Sequence, residues 1–473
     1  MSVNNIDLDN KQRKKSILAG VYILQGYIMA TDLGAMLAIP KTLEQFGAQN
    51  YYGILITCYV LAMAIATPVG GKLGDLFGRK NAIVAGTAIF AFGTILCAVS
   101  PNFIGYFTGF MIFGIGMGLM LPLLIAMISD VTTQTEFPKF MGYYTSVNNV
   151  SMLIGPLLSG VITDLVGPGL VYVYLLPIGG IALWLINKNY KGKLVSDEKP
   201  LVDYLGILFL ILSAGPILLL FNLGGTAFSW LSVPSLALIV LGVIFTLLFV
   251  KHESKCKEPI VSIELFKKPV VAMGFLRTLT FMAYSSIVSS YLLLFAQQGI
   301  GISATVSGTL TLPKTIATIL LPAAIGTWVA KKSIKGLKTA LITAGAAVIC
   351  GCMILGIGAG TSIAVIMIYI SMVLLGVGES FYFVSNLPHI KSLLPAEKVG
   401  TGISINTFLS TFAIALYGAI FGGVLNGFNN DIMGAFPTIC YIGAFCAFLY
   451  ILLSVLGVKI PKKQENGGKS VGA

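Results

Sequence analysis

The sequence has little charge, and it lacks the motifs of soluble enzymes. Only 10% of its 473 residues are charged, whereas an ordinary soluble domain carries about 25%. It contains no Gly-x-x-x-x-Gly-Lys-[Ser/Thr] phosphate-binding loop, no His-Glu-x-x-His zinc motif, and no paired carboxylates or nucleophile elbow in a fitting context. We therefore expect no enzyme, no cofactor, no metal site and no ATP-driven pump of the P-loop type.

Histidine and cysteine are also scarce, with two and seven residues respectively. His252 and His389 both fall in predicted cytoplasmic connections. Six cysteines lie in apolar runs, and Cys256 lies in a cytoplasmic connection, where thiols stay reduced. Cys350 and Cys352 are two residues apart, so a helix points them to different faces. The cysteines predict neither disulfides nor a metal site.

Apolar residues are abundant, at 56% of the chain with a mean hydropathy of +0.91. A helix needs roughly 20 apolar residues to cross about 30 Å of hydrocarbon, and strands of a barrel would instead alternate in polarity. Fourteen runs satisfy the helical length, at about 17–40, 52–70, 82–99, 103–128, 140–163, 169–187, 204–223, 230–250, 272–296, 306–330, 339–358, 362–385, 400–426 and 433–458. We predict an all-α integral membrane protein with 14 transmembrane helices.

The net charge of +12 lies in short basic clusters between these runs. A nucleic-acid-binding protein would instead gather its lysines on one face, so we expect no nucleic acid partner. If the N-terminus is cytoplasmic, 27 of the 30 basic residues fall in cytoplasmic segments, as the positive-inside rule requires. A miscounted helix would invert every later loop. The charges therefore predict an even number of spans and two cytoplasmic termini.

The longest connections, around 188–203 and 251–271, flank the seventh and eighth spans. This spacing predicts a 6+2+6 arrangement, and transporters are often built from repeated bundles around a midplane site. The expected parts are a cytoplasmic tail at 1–16, a six-helix bundle at 17–187, a linker with two extra transmembrane helices at 188–271, a second six-helix bundle at 272–458, and a cytoplasmic tail at 459–473. Because one chain contains both bundles, we expect a monomer to suffice.

A tight basic turn follows the second span. It reads Gly-Lys-Leu-Gly-Asp-Leu-Phe-Gly-Arg-Lys, with motif residues Gly71, Asp75, Gly78, Arg79 and Lys80. Glycines permit positive φ angles, and a carboxylate such as Asp75 accepts hydrogen bonds from a helix N-terminus. The spacing resembles the signature loop of the major facilitator superfamily. That resemblance implies that Asp75 helps to hold a cytoplasmic gate against the start of the thirteenth helix near Thr401.

With fourteen spans, the chain resembles the fourteen-helix drug:proton antiporter (DHA2-like) branch of that superfamily. The resemblance implies two bundles that rock about a central cavity. In the fifth span, Gly155, Pro156 and Gly160 are similar to the antiporter motif of the family, in which glycine and proline bend the helix and allow close packing.

The chain departs from the family pattern at several positions. Ser151 and Ser159 replace glycines of the antiporter motif, and Phe110 stands where family members carry an arginine that is thought to take part in proton transfer. Asp32 in the first span lies eight residues before Pro40, one residue fewer than the family pattern has. The matching loop of the second half has Ala330 in place of the acid, so we expect asymmetric gating.

Four ionisable residues fall inside predicted spans, where charge is costly and usually functional. Arg277 and Glu379 lie at matching depths of about 9–10 Å from the cytoplasmic side, and Asp32 and Lys314 at about 12–14 Å from the outer side. These depths suggest the pairs Arg277–Glu379 and Asp32–Lys314. Glu379 and Asp32 are the predicted proton-coupling residues. The alternatives are a purely structural Arg277–Glu379 pair, an Arg277 that reaches the cytoplasmic interface, and a Lys314 that contacts an anionic substrate.

Polar and aromatic residues of the cavity-lining helices predict an amphipathic binding site. The substrate-binding candidates are Gln25, Tyr27, Arg277, Tyr284, Lys314 and Tyr382. Tyr143, Tyr144, Asn148, Asn149 and Asn406 are further candidates.

We expect a multi-pass protein of the cell (cytoplasmic) membrane that moves an amphipathic small molecule by secondary transport, with protons and membrane lipids as its other partners. Proton-coupled efflux of the multidrug type is the first hypothesis. Proton-coupled uptake or exchange of an organic anion, such as a bile-acid-like carboxylate, is the alternative. The missing arginine at Phe110 and the embedded Arg277 and Lys314 favour it.

Overall fold

The computed structural model describes residues 11–48, 51–190, 203–224, 228–256, 259, 261–302, 307, 309–395, 398–429 and 431–458. Regular structure in these ranges is helical, apart from one isolated bridge between Gly224 and Phe228. The predicted tails at 1–10 and 459–473, and positions 191–202 of the predicted linker, lie outside the described residues.

The first helices follow the predicted spans closely. They are α1 (Lys11–Gln45), α2 (Tyr52–Phe77), α3 (Arg79–Val99), α4 (Phe103–Val131), α5 (Phe137–Leu165) and α6 (Leu176–Asn189), the last preceded by a helical turn at Pro168–Val171. The hairpin consists of α7 (Tyr204–Leu223) and α8 (Val233–Glu253). A short helix at Ile263–Lys267 leads into the remaining helices.

The second half begins with α9, which is α-helical over Pro269–Phe281 and continues through two π-helical turns, Ile287–Tyr291 and Phe295–Gly299. It is followed by α10 (Leu312–Gly358), α11 (Ala364–Ser392), α12 (Val399–Gly427) and α13 (Ile432–Gly457). Thirteen segments within the described ranges are long and apolar enough to span a membrane, and α7 contributes the shorter apolar stretch Tyr204–Ile217. The all-helical membrane fold is therefore confirmed, and the count of fourteen stays a prediction.

The tenth and eleventh predicted spans form one helical segment, α10, rather than two helices with a loop between them. Its basic middle part keeps helical backbone but bends sharply. A Cβ atom on Gly336 would lie 3.2 Å from Val329 Cα, whereas residues seven apart in a straight helix are separated by about 10 Å. The absent side chain of Gly336 thus permits the chain to double back and cross the bilayer again.

The two largest hydrophobic cores of the described residues lie one in each half. One is formed mainly by residues of α1–α6 and the other by residues of α9–α13. The first core also contains Leu387 of α11 with Val399 and Ile403 of α12. These three residues lie at the predicted cytoplasmic ends of their helices, so the two halves touch there.

Close packing of α1 on α5 depends on the antiporter-like motif. A Cβ on Gly155 would lie 2.5 Å from the Ala30 carbonyl oxygen. Ser159, which replaces a family glycine, fits because Gly34 lies opposite its hydroxyl. Gly160 is less tightly packed, with Leu37 at 3.4 Å from its Cβ position.

Substituting Gly155 with alanine is expected to destabilise the protein by about 1–3 kcal/mol, because the backbone of α1 must move to admit the methyl group. The matched control is Gly180→Ala on α6, where an added Cβ meets nothing within 4 Å. This substitution is expected to be neutral or stabilising, because alanine lowers the entropy of the unfolded chain. Thermal unfolding in detergent should show a lower midpoint for the first variant only. Equal midpoints would contradict this account of the motif.

Candidate functional site

Two oppositely charged side chains meet inside the second half. Lys314 Nζ on α10 lies 2.5 Å from Glu379 Oε2 on α11, and the side chains are 20% and 11% exposed. The Tyr284 ring centroid on α9 lies 6.0 Å from the same ammonium. Gly376 permits the approach of the helices, since a Cβ there would be 2.8 Å from the Lys314 carbonyl oxygen. The site thus combines a carboxylate, a cation and an aromatic ring.

Both ion pairs suggested by depth are wrong. Glu379 pairs with Lys314, and the Arg277 guanidinium instead lies 2.8 Å, through Nη2, from His389 Nδ1. Arg277 is fully buried, which also contradicts the idea that it reaches the cytoplasmic interface. His389 is a buried residue of α11 rather than part of a connection, because this helix continues to Ser392.

Asp32 has a neutral partner. The Tyr59 hydroxyl of α2 donates a hydrogen bond to Asp32 Oδ1 and lies 3.0 Å from Met117 Sδ. Phe110, at the position of the family arginine, is fully buried and packs on the Tyr59 ring with 4.8 Å between ring centroids. An aromatic cluster thus replaces the basic group beside this carboxylate.

Gln25 belongs to a polar network between α1 and α5. Its Nε2 donates to Asn148 Oδ1 at 2.7 Å, and its Oε1 accepts from the Tyr144 hydroxyl at 2.7 Å. The adjacent Asn149 donates to the Thr318 carbonyl oxygen of α10 at 3.4 Å. Thr318 is one helical turn from Lys314, so α5 connects the network of Gln25 with the region of the ion pair.

Two predicted substrate contacts lie inside the helix bundles. Tyr27 is buried against Phe90 of α3 and Gly179 of α6, because two residues along α1 turn it about 200° away from Gln25. Tyr382 is buried and stacks on Phe281 with 4.1 Å between ring centroids. The structure therefore brings neither tyrosine to the Gln25 network.

Tyr382 belongs to a second network, which joins α9, α11 and α12. Its hydroxyl lies 3.1 Å from Thr278 Oγ1, which donates to Asn406 Oδ1 at 2.5 Å. Asn386 donates to the same threonine at 2.9 Å. This network orients the helix that carries Arg277.

The predicted contact between Asp75 and Thr401 is present. Asp75 Oδ2 accepts hydrogen bonds from the Thr401 amide at 3.1 Å and from its hydroxyl at 3.0 Å, at the N-terminus of α12. Gly400 leaves room for the carboxylate, and Gly71 leaves room for Ser404. The carboxylate of the first half therefore faces two hydrogen-bond donors and the positive end of the α12 dipole, which belong to the second half.

The rest of the loop motif holds the first half together. Gly78 adopts φ +82°, a backbone conformation that favours glycine. Arg79 lies 2.5 Å from Asp130 Oδ1 and 3.7 Å from Asp75 Oδ1, and Lys80 donates to the Asn187 carbonyl oxygen at 3.0 Å. The guanidinium therefore links the gate carboxylate to the end of α4.

The pseudo-equivalent contact between α5 and α10 has no such carboxylate. Gly326 lies directly against the Pro138 carbonyl oxygen, and Gly142 against that of Pro322. This closure through backbone contacts agrees with the asymmetry expected from Ala330.

Sequence reasoning missed three members of these sites. They are Tyr59, Asp130 and Tyr190. Asp130 does carry a signal, since an acid at the end of an apolar run, on the same predicted side of the membrane as the basic turn, indicates a helix-end ion pair. The Tyr190 hydroxyl, which donates to Asp130 Oδ2 at 2.8 Å, comes from a predicted connection and carries no such signal.

Paired charges inside an all-helical membrane protein, with its two halves joined by the contact between Asp75 and Thr401, are typical of membrane transporters. The sequence matches the profile of the Major Facilitator Superfamily over residues 18–418. The chain therefore belongs to that superfamily, as the loop motif predicts.

Relatives support the multidrug branch. The chain is 28% identical over 431 residues to Multidrug resistance protein 3 of Bacillus subtilis (strain 168), covering 89% of this chain and 80% of that protein. It is 29% identical to Multidrug transporter protein MdtP of the same organism, covering 87% and 76%. The solved proton:xylose symporter XylE shares the fold, with a TM-score of 0.67 and 15% identity over 95% of this chain and 97% of that one.

Proposed function

We propose that the protein is a proton-coupled efflux transporter for amphipathic organic solutes, of the multidrug type. The observation that carries this proposal is the Lys314–Glu379 pair beside Tyr284. The names of the two Bacillus relatives support the class of substrate.

In the proposed cycle, a proton and a cationic substrate compete for Glu379. Protonation of the carboxylate would release Lys314, and a bound organic cation would replace Lys314 as the counter-ion. The Tyr284 ring offers apolar and cation–π surface next to the charge. Asp32 is proposed as a second proton site, with Gln25 contributing to substrate binding through the α1–α5 network.

We further propose fourteen spans, with α7 as the seventh, both termini in the cytoplasm, and a location in the cell membrane. The proposed parts are bundles at 17–187 and 272–458 and a linker at 188–271. Contacts such as Asp75 with Thr401 close the cytoplasmic side, which fits a state of an alternating-access cycle that is open to the outside.

The test uses purified protein in proteoliposomes with a lumenal pH dye and no imposed pH gradient. We expect lipophilic cations to drive protons in the opposite direction, with a signal that saturates with cation concentration. A signal produced by amphipathic carboxylates alone, with protons moving alongside them or not at all, would refute the drug-efflux proposal and favour transport of organic anions.

A further inference from the structure

A mixed cluster of metal-binding side chains lies at the base of the helical hairpin, away from the transport residues. Asp203 immediately precedes α7, His252 lies in the last turn of α8, and Cys256 lies three residues beyond the end of that helix. One ligand atom from each lies within 4.8 Å of the other two. A carboxylate, an imidazole and a thiol thus converge from chain segments about fifty residues apart.

Local structure brings the three together. His252 and Cys256 are four residues apart, and the Cys256 amide donates to the His252 carbonyl oxygen at 3.0 Å, so one helical turn aligns both side chains. Asp203 is fixed by accepting a hydrogen bond from the Gly206 amide at 2.8 Å. The Phe209 ring packs edge-on against the His252 ring, with 5.6 Å between centroids, and restricts the rotation of the imidazole.

The spacing fits a tetrahedral metal ion. His252 Nε2 lies 2.9 Å and 3.0 Å from the two carboxylate oxygens of Asp203. Zinc ligands at about 2.0–2.1 Å from the ion are separated from each other by roughly 3.3 Å, so the imidazole and the carboxylate lie within a few tenths of an ångström of the required spacing.

The chemistry of the ligands also favours zinc. Mixed oxygen, nitrogen and sulfur ligands suit a borderline ion such as Zn²⁺ rather than Mg²⁺ or Ca²⁺.

We propose that Asp203, His252 and Cys256 form a zinc site that joins the two ends of the hairpin, with water as the fourth ligand. The hairpin base packs onto the second half of the protein, since Leu210 and Phe249 share a core with Phe275, Ile390 and Ile405. The bound ion would therefore hold the two ends of the hairpin together where the hairpin packs on helices α9, α11 and α12. This role is independent of the transported substrate.

The first test titrates Co²⁺, as a spectroscopic substitute for Zn²⁺, into the full-length chain after removal of any histidine tag. We expect about one equivalent to bind, with tetrahedral d–d bands and a thiolate-to-cobalt charge-transfer band, and with displacement by Zn²⁺. Cys256→Ser should abolish the charge-transfer band and weaken binding by about tenfold or more. The matched control is Cys350→Ser, which removes an exposed thiol elsewhere and should leave the titration unchanged.

A second measurement needs no variant. Zinc should slow maleimide labelling of Cys256, measured by mass spectrometry of its peptide, whereas Mg²⁺ should leave the labelling rate unchanged. Absence of binding, or binding that persists unchanged in Cys256→Ser, would overturn the proposal. The three residues would then join the ends of the hairpin through hydrogen bonds alone. Equal labelling rates with and without zinc would do the same.

Discussion

Glu379→Gln is expected to abolish substrate-driven proton movement, with the dye signal in proteoliposomes falling to that of empty vesicles. Glutamine keeps the size and hydrogen-bonding capacity of the side chain but cannot bind and release a proton. Substrate binding, measured separately by fluorescence or calorimetry, should lose most of its dependence on pH, with Asp32 accounting for the remainder. This combination would assign coupling to the carboxylate rather than to the shape of the site.

The same substitution leaves the Lys314 ammonium without its carboxylate, which affects stability. Breaking a buried pair costs about 3–5 kcal/mol, and we expect about 2–4 kcal/mol here because both side chains retain some exposure. Lys314→Met should cost a similar amount by isolating Glu379. The double variant, Lys314→Met with Glu379→Gln, should recover much of the loss, since replacing both partners of a buried pair is often neutral.

These stability values provide the control for transport. If the double variant folds like the parent protein but moves no protons, the loss of activity does not come from unfolding. Asp32→Asn provides a comparison at a carboxylate whose partner, Tyr59, is neutral, and we expect it to retain part of the signal. Full coupling in Glu379→Gln would instead show that the pair is structural.

The sequence predicts the helices well because span length and loop charge are properties of local composition. It also predicts the Asp75–Thr401 contact, since a family motif encodes it. Helix ends were less predictable. The apolar run of α11 stops near residue 385, yet the helix continues to Ser392 because its last turns are buried against neighbouring helices rather than exposed to solvent.

The wrong ion pairs have a geometric cause. Depth along a helix leaves the direction of a side chain around the axis open, and the depth predicted for Glu379 is too small because α11 continues past residue 385 to Ser392. Glu379 faces α10 because Gly376 and Gly378 allow that helix to approach from one side. Arg277 bonds to His389, which is ten residues, or about 15 Å, further along α11. Packing of small residues, which depth does not capture, decides the partners.

Asp75→Asn is expected to loosen the cytoplasmic closure. The aspartate carboxylate accepts two hydrogen bonds from Thr401 at the start of α12, and a negative charge at a helix N-terminus contributes about 0.3–2 kcal/mol. Charge-assisted hydrogen bonds are also roughly twice as strong as neutral ones. The asparagine variant keeps one acceptor oxygen and loses the charge, so the ratio of closed to open forms should fall by about 5- to 30-fold.

Distances between spin labels on the two halves would measure this shift. Gln134 and Lys335 are exposed residues near the predicted cytoplasmic ends of the first and second halves. Both are replaced with cysteine in a background that lacks Cys58, Cys256 and Cys350, the cysteines that are not fully buried. The parent should give mainly a short distance. Asp75→Asn should add a longer population, and Thr401→Val should act in the same direction.

Glu264→Gln is the matched control, because this carboxylate also contacts the start of α12, through Lys398, but is largely exposed. Exposed pairs contribute little, so its distance distribution should match the parent. Asp75 and Thr401 act on one contact, so their double variant should show less than the sum of the single effects. Additive shifts, or an unchanged distribution in Asp75→Asn, would mean that the backbone contacts at Gly71 and Gly326 alone hold the gate closed.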